Sequence, residues 1–581
     1  MCIRDREYQY GLAGEMFQGR TSGGIRGGGR ASLNLPFPLA LQRPVVLRGN
    51  VPLSSYVSNF SRSQVLIDRE VPADLAITGS AQPRPAALAL VNAARCQNLQ
   101  VHVQGEALAV TRQVVPQDPT QTFGLTLEDF KKAFGTTPMQ DIAVNQQQTF
   151  SLDADTASFV GCVAQVAAQQ AVDPATVRVE HFVNAVPMDL PEPTGTEAFA
   201  LYAEGGPSPF AAGRLAERTA LVAVGVVGRA ADAAERRPLN LVLAVDTSGS
   251  MAQPGGLQRL RLGLTELLPH LRTDDKIAVI TFADRAVVAL PPVSGDAIAQ
   301  VQSTLAALRP DGATNAAEGL ALAYQVAGEL AAPGRETRVV LATDGATVTG
   351  PAATAALARV AGYRSKGITL LLLALGDRGA GAGLGTLADK ANGQQVAVTS
   401  DAQAQSLFRT TLLPERLQVL ARDAKAQVTW NPARVSHARL VGYEERRLEA
   451  KDFRNDAVDA GELSQAARAT ALFEVVLVEG AGGPLGQAAV RYLDTRLNQV
   501  VELSCPLPGD LVKVQGSTRL RLAACAAEAG ELLQQGWWSN VRGGTWPRLE
   551  GELQRLPVSS VQQQLLSLAT NMRAHGPQGE P

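Results

Sequence analysis

Residues 239–251 read LNLVLAVDTSGSM, and this stretch decides the fold. Leu239–Val245 is an almost unbroken apolar run, the pattern of a strand buried on both faces of a parallel sheet. It ends abruptly in Asp246-Thr247-Ser248-Gly249-Ser250, a polar cluster of turn-forming residues. Runs of the same kind recur at Ile277–Phe282, Arg338–Ala342, Ile368–Leu375 and Gln395–Val398. Helical periodicity fills the intervals, at Leu257–Leu271, Asp296–Leu308, Asn315–Leu330, Ala352–Lys366, Gly383–Ala391 and Ala402–Leu412. Val287–Pro292 reads as an extra antiparallel strand beside the second one. Strands alternating with crossover helices predict a doubly wound, Rossmann-like α/β domain over residues 237–412, with right-handed connections. In such folds the binding crevice lies at the carboxyl ends of the strands.

Those ends carry the candidate chemistry. Leu239–Val245 runs into Asp246-x-Ser248-x-Ser250, and Arg338–Thr343 runs into Asp344-Gly345. Between them, the loop Pro310-Asp311-Gly312-Ala313-Thr314-Asn315 opens a helix. A lone Asp-x-Ser-x-Ser means little, but one that ends a buried strand and is followed by a threonine loop and a strand-terminal Thr-Asp-Gly is specific. The arrangement resembles von Willebrand factor A (VWA) domains, which bind proteins through a metal-ion-dependent adhesion site. The resemblance implies five metal-site residues here: Asp246, Ser248, Ser250, Thr314 and Asp344. The serines and the threonine would touch the metal, and the aspartates would hold it directly or through water. All are hard oxygen donors, which suits Mg²⁺, with Mn²⁺ or Ca²⁺ as alternatives. Hydroxyl ligands neutralise no charge, so an open position on the ion would accept a partner's Asp or Glu. Gly249 and Gly312 are expected to let the loops approach the ion closely.

The 581 residues call for three or four domains. With 45% hydrophobic and 19% charged residues the chain has the composition of a globular protein, not a disordered one. A net charge of −2 gives no reason to expect nucleic acid as a partner. No apolar run reaches the ~20 residues of a membrane-spanning helix. The five cysteines form no Cys-x-x-Cys pair, so neither a zinc site nor a disulfide framework is expected; Cys505 and Cys525 are left open between a pair and two thiols. Residues 1–43 read as a linker with a truncated or mis-joined start, because Met1-Cys2-Ile3-Arg4-Asp5-Arg6 is charged where a signal sequence is apolar.

Residues 44–115 alternate short elements: strands at Pro44–Arg48, Gln64–Ile67 and Leu75–Gly79, helices at Leu53–Ser61 and Arg84–Ala94, and a hairpin of Leu99–Val103 with Leu108–Thr111. This small α+β pattern resembles the short amino-terminal domain of secretins and TonB-dependent receptors, which implies the bacterial cell envelope. Residues 116–236 read as a linker with a helix near Leu127–Phe134, then an extension containing TFSLDADTASFV (149–160) and VRVEHFVNAVPMDLPEP (177–193). Its Asp153 and Asp155 fit a turn with Asx caps better than a metal site. Residues 413–507 alternate as a β-sandwich, with strands at Ala426–Trp430, Ala438–Tyr443, Thr470–Val478, Ala488–Asp494 and Gln499–Ser504. There the acidic cluster Asp456, Asp459 and Glu462 lacks the spacing of an EF-hand loop and reads as a solvated turn. Residues 508–581 are helical, at Thr518–Gln534 and Ser560–Met572, with Trp537 and Trp538 expected to pack on the preceding domain. The extension and the segment 430–463 resemble those of a group of bacterial VWA proteins that end in an uncharacterised domain.

An enzyme is not expected. The chain has no GxxxxGK[ST], HExxH or GxSxG motif, and its five histidines are dispersed in sequence. The resemblance implies a metal-dependent protein-binding module of the periplasm or cell envelope, whose partner supplies an acidic side chain. Two alternatives stay open: a metal-independent scaffold of an envelope or secretion assembly, and a cytoplasmic VWA partner of an ATPase.

Overall fold

The computed structural model describes residues 126–575 apart from 212, 231–232, 235, 345–361, 364–365, 377–393, 411, 514 and 535–536. It also describes residue 120 and short strands within 44–111. Of the expected amino-terminal elements, the hairpin is present: Gln100–Gln104 pairs antiparallel with Ala107–Thr111, and Val65–Ile67 adds to it in parallel. Arg84 and Pro85, expected to open a helix, instead pair as a strand with Pro44–Val45. The rest of that expected helix, and the one at Leu53–Ser61, lie outside the described residues.

Residues 126–228 supply helix α1 (Leu127–Phe134), strands β1 (Gln140–Asp141) and β2 (Gln147–Ser151), and helices α2 (Ala157–Ala167) and α3 (Val179–Asn184). They end in the long strands β3 (Phe199–Pro207) and β4 (Thr219–Gly228). The α/β domain follows with β5 (Leu239–Asp246), α4 (Leu257–Leu267), β6 (Lys276–Phe282), β7 (Ala286–Ser294), α5 (Ile298–Ala307) and α6 (Ala316–Leu330). It continues through β8 (Glu336–Thr343), β9 (Ile368–Leu375), β10 (Gln394–Val398) and α7 (Asp401–Thr410). The chain then returns to antiparallel structure in β11 (Val419–Trp430), β12 (Val435–Leu440), β13 (Arg447–Leu448), β14 (Gly461–Ser464), β15 (Arg468–Leu477), β16 (Gly486–Asp494) and β17 (Gln499–Leu507). Four helices close it: α8 (Thr518–Gln534), α9 (Trp537–Val541), α10 (Trp546–Gln554) and α11 (Ser560–His575).

The six-stranded α/β sheet has the order β7-β6-β5-β8-β9-β10, with every pairing parallel except β6–β7. Central β5 is buried along its whole length because helices cover both faces of the sheet. Leu241, Leu243 and Val245 face α4 and α7, while Val242 and Ala244 face α6. This alternation between two apolar layers is why Leu241–Val245 shows no polar position.

The sandwich is not confined to residues 413–507. One sheet runs β3-β4-β15-β12-β1 and the other β13-β2-β11-β16-β17, so strands from 140–228 complete both. β4 pairs with β15 from Thr219↔Val476 to Val227↔Arg468. The stretch read as linker and extension therefore supplies four strands of the sandwich, and the α/β domain is inserted into it. β4 is buried at every position: Val222, Val224 and Val226 face the opposite sheet, and Leu221 and Ala223 face a helical layer. That layer combines α2 and α3 with α8, α10 and α11. Trp538 lies 2% exposed beneath it, stacked on the guanidinium of Arg439 at 3.9 Å, and Trp537 packs edge-on against Phe130. Arg439 is itself buried and paired with Glu474 (3.1 Å) and Glu531 (2.7 Å), which fastens β12 and β15 to α8. Cys505 and Cys525 are free thiols, on β17 and α8.

The inserted domain rests on the sandwich by the amino ends of its strands. Arg237 reaches Glu336 at 2.6 Å, and its backbone N–H donates to Gln418 at 3.1 Å. Arg338 Nη2 donates to Ser464 Oγ at 3.4 Å, and the Gln395 N–H donates to Asp155 at 3.2 Å. Glu462 of β14 joins this polar seam with a buried Oε2 that has no hydrogen-bond partner. Burial pushes its carboxyl up to about 8, against the pull of Arg422 and Arg338 and with help from Glu336 and Asp459. Glu462 thus belongs to the seam and not to a solvated turn. Its neutral form is the one the fold prefers, so its contribution to stability is complete below the ordinary glutamate range and is lost as pH rises through about 8. Wild-type protein should lose several degrees of melting temperature between about pH 6 and pH 9, and Glu462→Gln should flatten that decline. Scanning calorimetry across the range checks this; parallel wild-type and variant profiles would show that Glu462 is ionised throughout.

Candidate metal centre

Asp246, the last residue of β5, is fully buried at the carboxyl edge of the sheet. Its Oδ1 accepts the Ser248 N–H at 2.8 Å and its Oδ2 accepts the Thr343 hydroxyl at 2.7 Å. Thr343 ends the neighbouring strand β8 and directly precedes Asp344, so this one carboxylate ties the first loop to the third. Burial raises the Asp246 carboxyl above the usual range; the bonds from Ser248 and Thr343 oppose this, and Asp344 adds to it. A buried carboxyl whose charge is disfavoured by a neighbouring aspartate forms an anionic point that a cation would relieve.

The hydroxyls of Ser248 and Ser250 lie 3.1 Å apart. Neighbouring oxygens of an octahedron with bonds of about 2.1 Å stand about 3.0 Å apart, so this spacing fits two adjacent ligands of Mg²⁺. The threonine loop is sewn to the same place from two sides. The Gly249 N–H donates to Gly312 O at 3.0 Å, and the Asp311 N–H donates to Thr247 O at 2.7 Å. Thr314 follows, half-buried, and Asn315 caps α6 by accepting the Glu318 N–H. Gly312 has a φ of +78°, a conformation that favours glycine. Gly249 does not carry the steric role expected of it: an added Cβ would meet Gly312 O only at an ordinary 3.6 Å. The structure thus places Asp246, Ser248 and Ser250 at the carboxyl end of β5, Asp344 directly after β8, and the loop that carries Thr314 against the first of these.

Comparison with known proteins places names on these parts. A von Willebrand factor type A domain model matches residues 241–346, and a von Willebrand factor model matches 126–216. The model "Uncharacterized protein YfbK, C-terminal" matches 415–505. YfbK of Escherichia coli K12 is 33% identical over 355 residues, which is 59% of this chain and 60% of that protein. The chain carries a VWA domain and a YfbK-type carboxyl-terminal domain. Protein sll0103 of Synechocystis is 36% identical over 126 residues, or 21% of this chain and 29% of that one. The chain thus spans less than two thirds of either curated relative. Among solved structures, a von Willebrand factor type A protein from Catenulispora acidiphila is similar at 15% identity and TM-score 0.39, covering 57% of this chain and 79% of that one. The ArnB paralog VWA2 from Sulfolobus acidocaldarius is similar at 14% identity and TM-score 0.35, covering 66% and 100%.

A second polar cluster lies at the other edge of the VWA domain. Asp153 and Asp155 form the expected Asx turn, with the Asp155 N–H donating to Asp153 Oδ1 at 2.9 Å. His181 joins them, its Nε2 at 3.1 Å from Asp153 Oδ2, and the three could together face a metal. The donors are already engaged, however. Arg446 Nε also lies 3.1 Å from Asp153 Oδ2, the Ser158 N–H donates to His181 Nδ1 at 3.2 Å, and Asp155 Oδ2 holds the VWA strand β10 through Gln395. Burial disfavours charge on Asp153, but Arg446 and His181 outweigh it and hold its carboxyl well below the usual range. Burial and the Asp153 charge push Asp155 up to about 7. Burial opposes charge on His181, yet Asp153 raises its pKa overall, while the Ser158 amide favours a lone pair at Nδ1. A proton on Nε2 shared with Asp153 satisfies both. The cluster is an ion-paired knot at the joint. Sequence spacing conceals it, since His181 and Asp153 are 28 residues apart. The available signal was His181 and Asn184 on one face of the short α3, where Asn184 Nδ2 donates to the backbone oxygens of both aspartates.

Titration with Mg²⁺ should therefore raise the melting temperature of wild-type protein, by about 2.7 kcal/mol of stabilisation at a hundredfold excess over the dissociation constant. Ser248→Ala with Asp344→Ala should lose this response, and His181→Ala should keep it despite a lower starting temperature. A response lost only in His181→Ala would move the metal to the second cluster.

Proposed function

We propose that this protein binds other proteins through a divalent cation held by Asp246, Ser248, Ser250, Thr314 and Asp344, which coordinates an acidic side chain of the partner. The observation that carries the reading is the 3.1 Å spacing of the Ser248 and Ser250 hydroxyls above a buried carboxylate already spent on positioning the loops. Mg²⁺ suits this donor set, and when bound it would supply an electrophilic open position for an outside carboxylate. The chain's own contribution is rigidity: Asp246 fixes the Ser248 backbone and Thr343, and so the loops that carry Ser248 and Asp344.

Binding is favoured over catalysis by the same contacts. Ser248 Oγ pairs with Ser250 Oγ, and the Asp246 oxygens accept the Ser248 N–H and the Thr343 hydroxyl, so the carboxylate is not set as a base on the serine. The contacts between VWA domain and sandwich described above lie at the amino ends of the strands, opposite the edge that carries Asp246 and Asp344. We place this activity in the bacterial cell envelope on the resemblance of residues 44–115 to secretin and TonB-receptor amino-terminal domains.

A displayed library of random peptides, panned on the full chain in Mg²⁺ and eluted with EDTA, should enrich sequences containing Asp or Glu. Asp246→Ala should retain its fold by circular dichroism and capture none of them. Capture that is equal in Mg²⁺ and EDTA would favour a metal-independent scaffold instead.

A further inference from the structure

Thr314 is the metal-site residue farthest from any strand end, since the loop carrying it follows α5 and precedes α6. Its position is set by the turn that joins β6 to β7. The Ala313 N–H donates to Asp284 Oδ1 at 2.9 Å, and the Asn315 N–H donates to Ala283 O at 2.8 Å. Both neighbours of Thr314 in the chain are thus bonded to consecutive residues of that turn, and of the two bonds only the one to Asp284 uses a side chain. Gly312 completes the fit: a Cβ there would stand 2.7 Å from Asp284 Oδ2 and 3.0 Å from its Cγ. Asp284 is exposed and lies outside the Asp-x-Ser-x-Ser, Thr and Asp positions of the site.

We infer that Asp284 is the positioning residue for Thr314: its carboxylate latches the loop so that the threonine hydroxyl stands in register with Ser248 and Ser250 before a cation arrives. The inference rests on the reading that these residues hold a divalent cation. Its physical basis is that a ligand on an unlatched loop must be ordered at the moment of binding, and that cost comes out of the affinity. Asparagine can keep the latch, because its amide oxygen accepts the same N–H without the charge. Alanine cannot.

Mn²⁺ serves as the probe, followed by electron paramagnetic resonance on the full chain. Asp284→Ala should weaken Mn²⁺ binding about tenfold, the effect of one charge-assisted hydrogen bond. Asp284→Asn should stay within about threefold of wild type. In a Thr314→Ala background, Asp284→Ala should produce no further loss, because the residue acts through Thr314. A second readout needs no metal: in the cation-free protein, hydrogen exchange at the Ala313–Asn315 amides should quicken in Asp284→Ala while the β5 and β8 amides keep their protection. Equal losses in Asp284→Asn and Asp284→Ala would assign the effect to charge and overturn the latch. A full additional loss in the Thr314→Ala background would overturn it too. If wild type binds Mn²⁺ and Asp284→Ala binds equally well, this role alone falls. A wild type that takes up no Mn²⁺ removes the metal reading and this role with it.

Discussion

A single buried carboxylate organises the molecule's active edge. Asp246 sits at the end of a strand buried along its whole length, where burial makes its charge costly. It is tolerated because both oxygens accept hydrogen bonds, one from the next loop and one from the next strand. Those bonds fix Ser248 and Thr343, and through them the two residues that follow, Gly249 and Asp344. Gly249 in turn holds Gly312, which brings the threonine loop into place. Asp344 stands close enough to add to the cost of charge on Asp246, so under the proposed reading the groups that build the edge are also those a cation would compensate.

The opposite edge is built on different terms. Where the VWA strands begin, ionisable side chains meet the sandwich: half-buried Arg237 pairs with buried Glu336, buried Arg338 lies near Glu462, and Asp155 accepts the amide of Gln395. A pair such as Arg237–Glu336 adds little net stability over an apolar interface, but removing Arg237 leaves the buried Glu336 carboxylate uncompensated. The seam therefore tolerates few alternative orientations. It is reinforced by topology, since the chain enters the VWA domain from β4 and leaves it for β11, both strands of the same sandwich.

How much of this was legible in the sequence follows from what each segment packs against. The strands at Leu239–Asp246 and Ile368–Leu375 stand out because both faces are buried by helices within the same 176-residue span, and each is bounded by polar turns. Helix α6 was equally clear, from Asn315 as cap to Leu330. Asp246, Ser248 and Ser250 belong to one local motif. Thr219–Gly228 is as apolar as β5, yet its partner strand lies at 468–477, far along the chain, and no local pattern announces such a pairing. The same holds for β2, whose partners are Arg447–Leu448 and the strand Val419–Trp430. A split sandwich is therefore read as an extension and a separate domain until the pairing is seen. Asp153, Asp155 and His181 were hidden likewise: the aspartates made a local turn, as expected, while the histidine came from another element.

The two edges are joined by the strands themselves. Strands β5 and β8 each contain eight residues, and at about 3.3 Å per residue they span roughly 26 Å from seam to metal edge. Both begin at the seam: β8 opens with Glu336, paired to Arg237 just before β5, and both end in the carboxylate-anchored loops. Within the sheet the two strands are paired at seven positions, from Leu239↔Glu336 to Val245↔Ala342, so the placement of Asp246 and Thr343 at the carboxyl edge is tied to the seam at which both strands begin.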